Sequence, residues 1–288
     1  MKSELTEAQI ASYRNNGFLV VEDFLSPDEL AHWKKSTQTA VDERLALPQT
    51  DLLPNLAVTT TLSNQADPDS YYAQIFTQCL KLADTNADVH DFIYDARLGK
   101  VIAGLAGVDG IRLWHDQALF KPPHGNPTGW HLDNPRWSFY SRDSLSIWVA
   151  LDDATYQNGC MYYVPGTHKT ARYEDAALGK NLSDLFKIYP EWRTIDPVAC
   201  PAKAGTAIFH NGLTAHAAGA NMTNKPRRAM TCAFMPDGAA FNGRRNILPE
   251  DYFASLKVGD LLNDNTVNPL LWSKHAQVGG GQGFKPLA

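Results

Sequence analysis

The sequence predicts a mainly β domain with flanking helices, and three observations carry that expectation. Apolar residues recur with period two in several short runs beyond residue 110, turn signals rich in Pro and Gly separate those runs, and helix-start signals dominate the first hundred residues instead. A chain of 288 residues can bury a substantial core. Its composition, 44% apolar and 20% charged, opposes both disorder and a fibrous repeat. No internal repeat is visible. One domain over residues 1–288 is expected, with a helical part at about 1–108, a β core at about 109–240 and a C-terminal extension at 241–288.

Thr6 with Gln9, and Ser26 with Pro27 and Glu29, mark two helix starts, because each hydroxyl can accept from backbone N–H groups that a helix leaves orphaned. FLVVEDF, between them, reads as a short strand. Leu30, Trp33, Ala40 and Val41 recur at helical spacing in the second helix, and Leu98, Val101, Ile102 and Leu105 mark a third amphipathic stretch. In SLSIWVAL, Leu145, Ile147, Val149 and Leu151 share one face while Ser144, Ser146, Trp148 and Ala150 share the other, as in a strand with one dry face. IRLWHDQALF, GCMYYV, GTAIFH and RRAMTCAFM are similar runs punctuated by PP, NG, PG and KP, which suits a β sandwich or barrel. Residues 172 to 197, with Tyr173, Leu178, Leu182 and Tyr189, form an insertion placed to cover a site. The terminal GGGQG is expected to be flexible.

The formal charge of -5 and the lack of a Lys/Arg stripe argue against nucleic acid as a partner. No apolar run approaches the length of a membrane span, and MKSELTEAQ lacks a secretory apolar segment, so a cytoplasmic protein with no membrane partner is expected. Cys79, Cys160, Cys200 and Cys232 form no CxxC pair, and reduced thiols are expected.

GWHLDNPRW carries an imidazole and a carboxylate two positions apart. On a strand His131 and Asp133 would project the same way and could grip one divalent metal. A second histidine would complete a two-histidine, one-carboxylate facial triad with open positions. Such a pair alone has little specificity, since a chain of this composition holds an HxD by chance about once. His216, followed eleven residues later by Arg227 at the start of a new period-two run, adds the second half of the signal. A buried arginine fork there could bind a carboxylate with two prongs. His168, after a PG turn, and His210 also lie downstream of the pair but lack that arginine spacing. His210 reads as a hydrogen-bonded core histidine or one that supports a ligand, and His115, beside Trp114, as structural.

The sequence resembles the phytanoyl-CoA dioxygenase family of iron(II)- and 2-oxoglutarate-dependent oxygenases. The likeness runs through LTEAQIASYRNNGFLVVEDFLSPDEL, KPPHGNPTGWHLD, SIWVALDDATYQNGCMYYVPGTHK and HAAGANMTNKPRRAM. It implies a double-stranded β-helix, or cupin-like jelly-roll, core. It also implies that His131, Asp133 and His216 bind Fe(II) as the catalytic centre and that Arg227 binds the distal carboxylate of 2-oxoglutarate. Trp148 and Gln117 match further contacts to that cosubstrate. Lys121, before two prolines, is expected to be solvated, and Ala218 stands where some members carry a serine that assists the arginine.

The chemistry so implied consumes O2 and 2-oxoglutarate, releases succinate and CO2, and hydroxylates a C–H bond of a small-molecule substrate. In related halogenases a small residue replaces the carboxylate and lets chloride bind, so Asp133 favours hydroxylation. Desaturation, epoxidation and cyclisation stay open. Asn134, Pro135, Arg136, Trp137 and Phe139, adjacent to the pair, are candidate substrate contacts. A slightly acidic chain without a polybasic groove favours a free metabolite over a coenzyme A thioester. Two other classes compete: a cupin-type metal enzyme with non-oxidative chemistry, and a catalytically silent binding module. Oxygen uptake coupled to 2-oxoglutarate consumption separates them.

Overall fold

A computed structural model describes residues 1–47, 58–59, 71 and 74–275, so the terminal GGGQG lies outside the described residues. Helix α1 (Glu7–Asn16) begins at Thr6 in a reciprocal capping box with Gln9, as the hydroxyl and amide pattern requires. It ends at Gly17, whose φ of 83° is left-handed and whose missing Cβ would sit 2.3 Å from Thr214 Oγ1. Strand β1 (Phe18–Val21) follows, then α2 (Pro27–Ala46), which opens on the Ser26–Glu29 capping box with Pro27 in its first turn. After β2 (Val58–Thr59) and β3 (Thr77–Leu80) come α3 (Ala87–Ile93) and α4 (Ala96–Ala106).

From residue 110 the chain is mostly strand: β4 (Gly110–Lys121), β5 (Thr128–His131), β6 (Leu145–Ala150) and β7 (Met161–Tyr163). A long excursion containing α5 (Leu185–Ile188) leads to β8 (Val198–Cys200), β9 (Ala207–Asn211), β10 (His216–Ala218) and β11 (Arg227–Pro236). The chain then continues through α6 (Glu250–Ser255) to β12 (Leu270–Ser273). One sheet runs β1-β9-β6-β11-β4-β3-β2 with β12 also paired to β4, and the second runs β5-β10-β7-β8. Every strand pairing within them is antiparallel. The two sheets make a jelly-roll, and the larger one recruits β1, β2, β3 and β12 from outside the 109–240 stretch.

The larger sheet is covered on both faces. Leu145, Ile147, Val149, Phe209, Met230, Cys232 and Phe234 on its outer face join one apolar cluster with Trp33, Phe92, Leu98 and Ile102 of the helices. Each such fully buried side chain contributes about 1.5–3 kcal/mol. On β6 all six residues are buried, so Ser146 and Trp148 are not on a solvated face as simple alternation suggests. That face turns toward the smaller sheet. The excursion of residues 172 to 197 lies against β5, Trp130 N donating to Leu182 O at 3.2 Å. All four cysteines are buried and unpaired. No helix among the described residues is long and apolar enough to cross a membrane.

Candidate active site

His131 and His216 are register partners across β5 and β10, with ring centroids 4.1 Å apart. Asp133 arrives differently from the sequence reading. The strand ends at His131, and Asp133 sits beyond it at φ -81° and ψ -53°, where Asp133 N and Asn134 N both donate to Gly212 O. A turn, not a second pleat, brings the carboxylate back. The three ligand atoms lie within 4.8 Å of one another, a set that could hold a metal ion.

Hydrogen bonds fix which nitrogens face inward. His131 Nδ1 is 2.9 Å from Gly129 O and His216 Nδ1 is 2.9 Å from Thr214 O, so each Nδ1 carries the proton and each Nε2 keeps its lone pair. Those Nε2 atoms lie 3.7 and 3.6 Å from Asp133 Oδ1. Burial pushes both imidazoles below their ordinary pKa, with Arg136 adding to the effect at His131 and His131 adding to it at His216. Burial alone would raise the Asp133 carboxyl. His216, His210 and His131, together with the hydrogen bond from His210, hold it well below the usual carboxylate range.

A cavity of about 370 Å³ extends from this cluster and is lined on one side by Gln117, Trp148, Thr231 and Arg227. Arg227 is 2% exposed, and its Nε and Nη1 are buried with no hydrogen-bond partner among the described residues. Its guanidinium lies 5.2 Å from the Trp148 ring centroid. Burial lowers its pKa to about 10, which leaves it charged at neutral pH. A buried, unpaired fork in a cavity is built to receive a carboxylate. Ala218 also lines the cavity, together with the neutral polar side chains of Gln117 and Thr231.

The structure corrects several sequence readings. Asn134 and Phe139 are fully buried and absent from the cavity wall; Asn134 accepts from Ser141 N, and Phe139 packs on Trp114 and Trp137. Trp137 and Arg136 do line it, along with Leu178, Asn246 and Ile247. His168 is remote from it, facing Arg14 O at 3.1 Å. His115 lines the cavity, its Nδ1 buried without a hydrogen-bond partner among the described residues and its pKa lowered to about 4 by burial. Period two on β4 places His115, Gln117, Leu119 and Lys121 on one face, a signal that would have found it.

Lys121 is buried, not solvated. It is cross-strand from Arg227, and its Nζ donates to Asn126 O at 2.5 Å. Burial, with Arg227 beside it, pushes its pKa from 10.5 down to about 6. Between those values the unfolded chain binds the extra proton, so the penalty is complete below about pH 6 and gone above about pH 10. Lys121→Met is therefore expected to stabilise the protein by about 1–3 kcal/mol at pH 7. Thermal melts should show the gain shrinking as pH rises toward 10; a pH-independent gap would remove Lys121 ionisation as its cause.

A sequence model of the phytanoyl-CoA dioxygenase family matches residues 13–229. The chain belongs to that family. A relative named methylphosphonate hydroxylase, from Gimesia maris, is 24% identical over 88% of this chain and 87% of its own. Among solved structures, the non-haem alpha ketoglutarate-dependent carbocyclase SnoK of nogalamycin biosynthesis superposes with a TM-score of 0.72 at 22% identity, covering 94% of this chain and 98% of its own. The epimerase SnoN of the same biosynthesis, solved with Fe3+, alpha ketoglutarate and nogalamycin RO, gives 0.69 at 24% identity over 92% and 98%. These likenesses establish the jelly-roll, while the family match makes the protein a 2-oxoglutarate-dependent non-haem iron oxygenase. The donor set fits those cofactors: two neutral imidazoles and a carboxylate for iron, and an unpartnered buried guanidinium for 2-oxoglutarate.

Proposed function

We propose that His131, Asp133 and His216 hold Fe(II), that Arg227 with Trp148 and Gln117 holds 2-oxoglutarate, and that the enzyme hydroxylates a C–H bond of a small free metabolite. The unpartnered Arg227 guanidinium, sharing one cavity with the metal set, carries this reading. Along β11, Thr231 pairs with both Gln117 and Trp148, and Ala233 with both His115 and Ser146. Ser146 in turn holds Asp133, and the Arg227 guanidinium lies over Trp148, so the fork and the metal set are reached from neighbouring positions of the same sheet. Sharing one cavity suits a dicarboxylate that chelates at one end and is anchored at the other.

Held by His131, Asp133 and His216, Fe(II) with 2-oxoglutarate and O2 would supply the oxidising power for C–H hydroxylation, with succinate and CO2 as co-products. The protein's part is placement and exclusion of water. Arg227 neutralises the distal carboxylate, Trp148 supports the fork, and Met161, Leu119 and Ala218 present apolar walls. His115, Arg136, Trp137, Leu178, Asn246 and Ile247, also on the cavity wall, form the subsite for the primary substrate. A cavity of about 370 Å³ shared between two molecules favours a small substrate, and the Gimesia relative is named for a small one. Asp133 fills the position that chloride would need, which favours hydroxylation over halogenation.

The test is oxygen uptake and succinate release by the Fe(II) protein with 2-oxoglutarate across a panel of small metabolites. Substrate-stimulated turnover should yield a product gaining one oxygen atom. A product that instead loses two hydrogens overturns hydroxylation while leaving the oxygenase class intact. With the stimulating metabolite in hand, Trp137→Ala is expected to raise its KM at least tenfold with little change in the KM for 2-oxoglutarate. An unchanged KM would take Trp137 out of the substrate subsite.

A further inference from the structure

Asp133 presents its two oxygens to different neighbours. Oδ1 faces the His131 and His216 Nε2 atoms at 3.7 and 3.6 Å. Oδ2 accepts from Ser146 Oγ at 3.0 Å and lies 3.1 Å from His210 Nε2. Ser146 and His210 are register partners across β6 and β9, so both donors come from rigid strands and reach inward at the same level. The His210 tautomer follows from its other contact. Its Nδ1 lies 3.2 Å from the Tyr163 hydroxyl, on a strand of the opposite sheet. An ionised carboxylate only accepts, so Nε2 carries the proton and Nδ1 accepts from Tyr163. Both His210 and Tyr163 are buried, although His210 and Ser146 also border the cavity.

We propose that His210, with its tautomer set by Tyr163 and with Ser146 beside it, is a positioning residue that confines Asp133 to one-oxygen ligation. The inference rests on the metal set proposed above. A carboxylate with two free oxygens can close on a divalent cation through both. In a three-residue facial set a second carboxylate oxygen would take one of the positions that 2-oxoglutarate and O2 require. Two donors on Oδ2 make that rotation costly, because it takes their acceptor away from the His210 N–H and the Ser146 hydroxyl. The expected consequence is selective: 2-oxoglutarate chelation suffers more than Fe(II) binding.

The experiment is anaerobic titration of the full-length protein with Fe(II) and then 2-oxoglutarate, following the charge-transfer absorption of the chelate. His210→Leu, His210→Gln, Ser146→Ala and Asp133→Ala are compared with the wild type, and thermal melts identify any variant that fails to fold. His210→Leu is expected to weaken 2-oxoglutarate binding about 10- to 100-fold with a smaller effect on Fe(II). His210→Gln, which keeps an N–H of similar reach, should recover the absorption band and most of the affinity. Ser146→Ala removes the second donor with little loss of volume, and should weaken chelation even if His210→Leu does not fold. Wild-type chelation in Ser146→Ala and His210→Leu, or a His210→Gln variant as defective as His210→Leu, overturns the positioning role. Asp133→Ala tests the metal set separately: if it still binds Fe(II) tightly, that reading fails, whatever the His210 variants do.

Discussion

Asp133→Ala is expected to weaken Fe(II) binding by more than about 100-fold and to reduce 2-oxoglutarate-dependent succinate formation to background, since even loss of an outer partner to a ligand costs 10–100-fold. Asp133 is the one anionic member of the set, the imidazoles of His131 and His216 being held neutral by burial. Without it a dication would enter a buried site with no opposing charge, a costly transfer in a low-dielectric interior. The substitution also strands His210 Nε2 and Ser146 Oγ, which both reach the lost Oδ2. A modest loss of stability should therefore accompany the loss of metal, visible as a lower Tm in the metal-free protein. Equilibrium titration with Fe(II) under anaerobic conditions gives the affinity, and succinate release gives the turnover. Iron-dependent succinate formation at wild-type rate in the variant would sink the assignment of Asp133 as a ligand.

Parts of this site were legible in the sequence because they depend on local chemistry. The capping boxes at Thr6 and Ser26 form as read, since each needs only residues three apart. Ser146 and Trp148 share a face because β6 alternates, although the second sheet buries what alternation alone would leave wet. The geometry around Asp133 was less legible. Period two would have placed it by pleating, whereas the chain leaves the strand after His131 and a turn hydrogen-bonded to Gly212 does the placing. Adjacency in sequence likewise misled at Asn134 and Phe139, which follow the pair yet turn away into the protein. Residues distant in sequence entered instead. Leu178, Asn246 and Ile247 reach the cavity from segments whose course depends on tertiary packing, which no local pattern encodes. Lys121 was misjudged for a related reason: proline neighbours suggest a wet loop, but the turn carrying Gly159 closes over its side chain, where a Cβ would meet Lys121 Cδ at 3.0 Å.

Arg227→Gln is expected to separate cosubstrate binding from metal binding, with opposite signs for ligand affinity and for stability. Removing one member of a buried charged pair costs about 3–5 kcal/mol, so the Kd for 2-oxoglutarate should rise about 100-fold or more. Fe(II) affinity should change little, because Arg227 makes no hydrogen bond to the metal set. Arg227→Lys should rescue poorly, since an ammonium offers neither the planar fork nor the same stacking over Trp148. In the ligand-free protein the effect reverses. There the guanidinium is 2% exposed, has Nε and Nη1 unpartnered and sits beside buried Lys121, an arrangement unfavourable for folding until an anion arrives. Melting without 2-oxoglutarate should show Arg227→Gln as stable as the wild type or more so, whereas saturating 2-oxoglutarate should raise the Tm of the wild type alone. Equal stabilisation of both proteins by 2-oxoglutarate would mean that its distal carboxylate lies elsewhere.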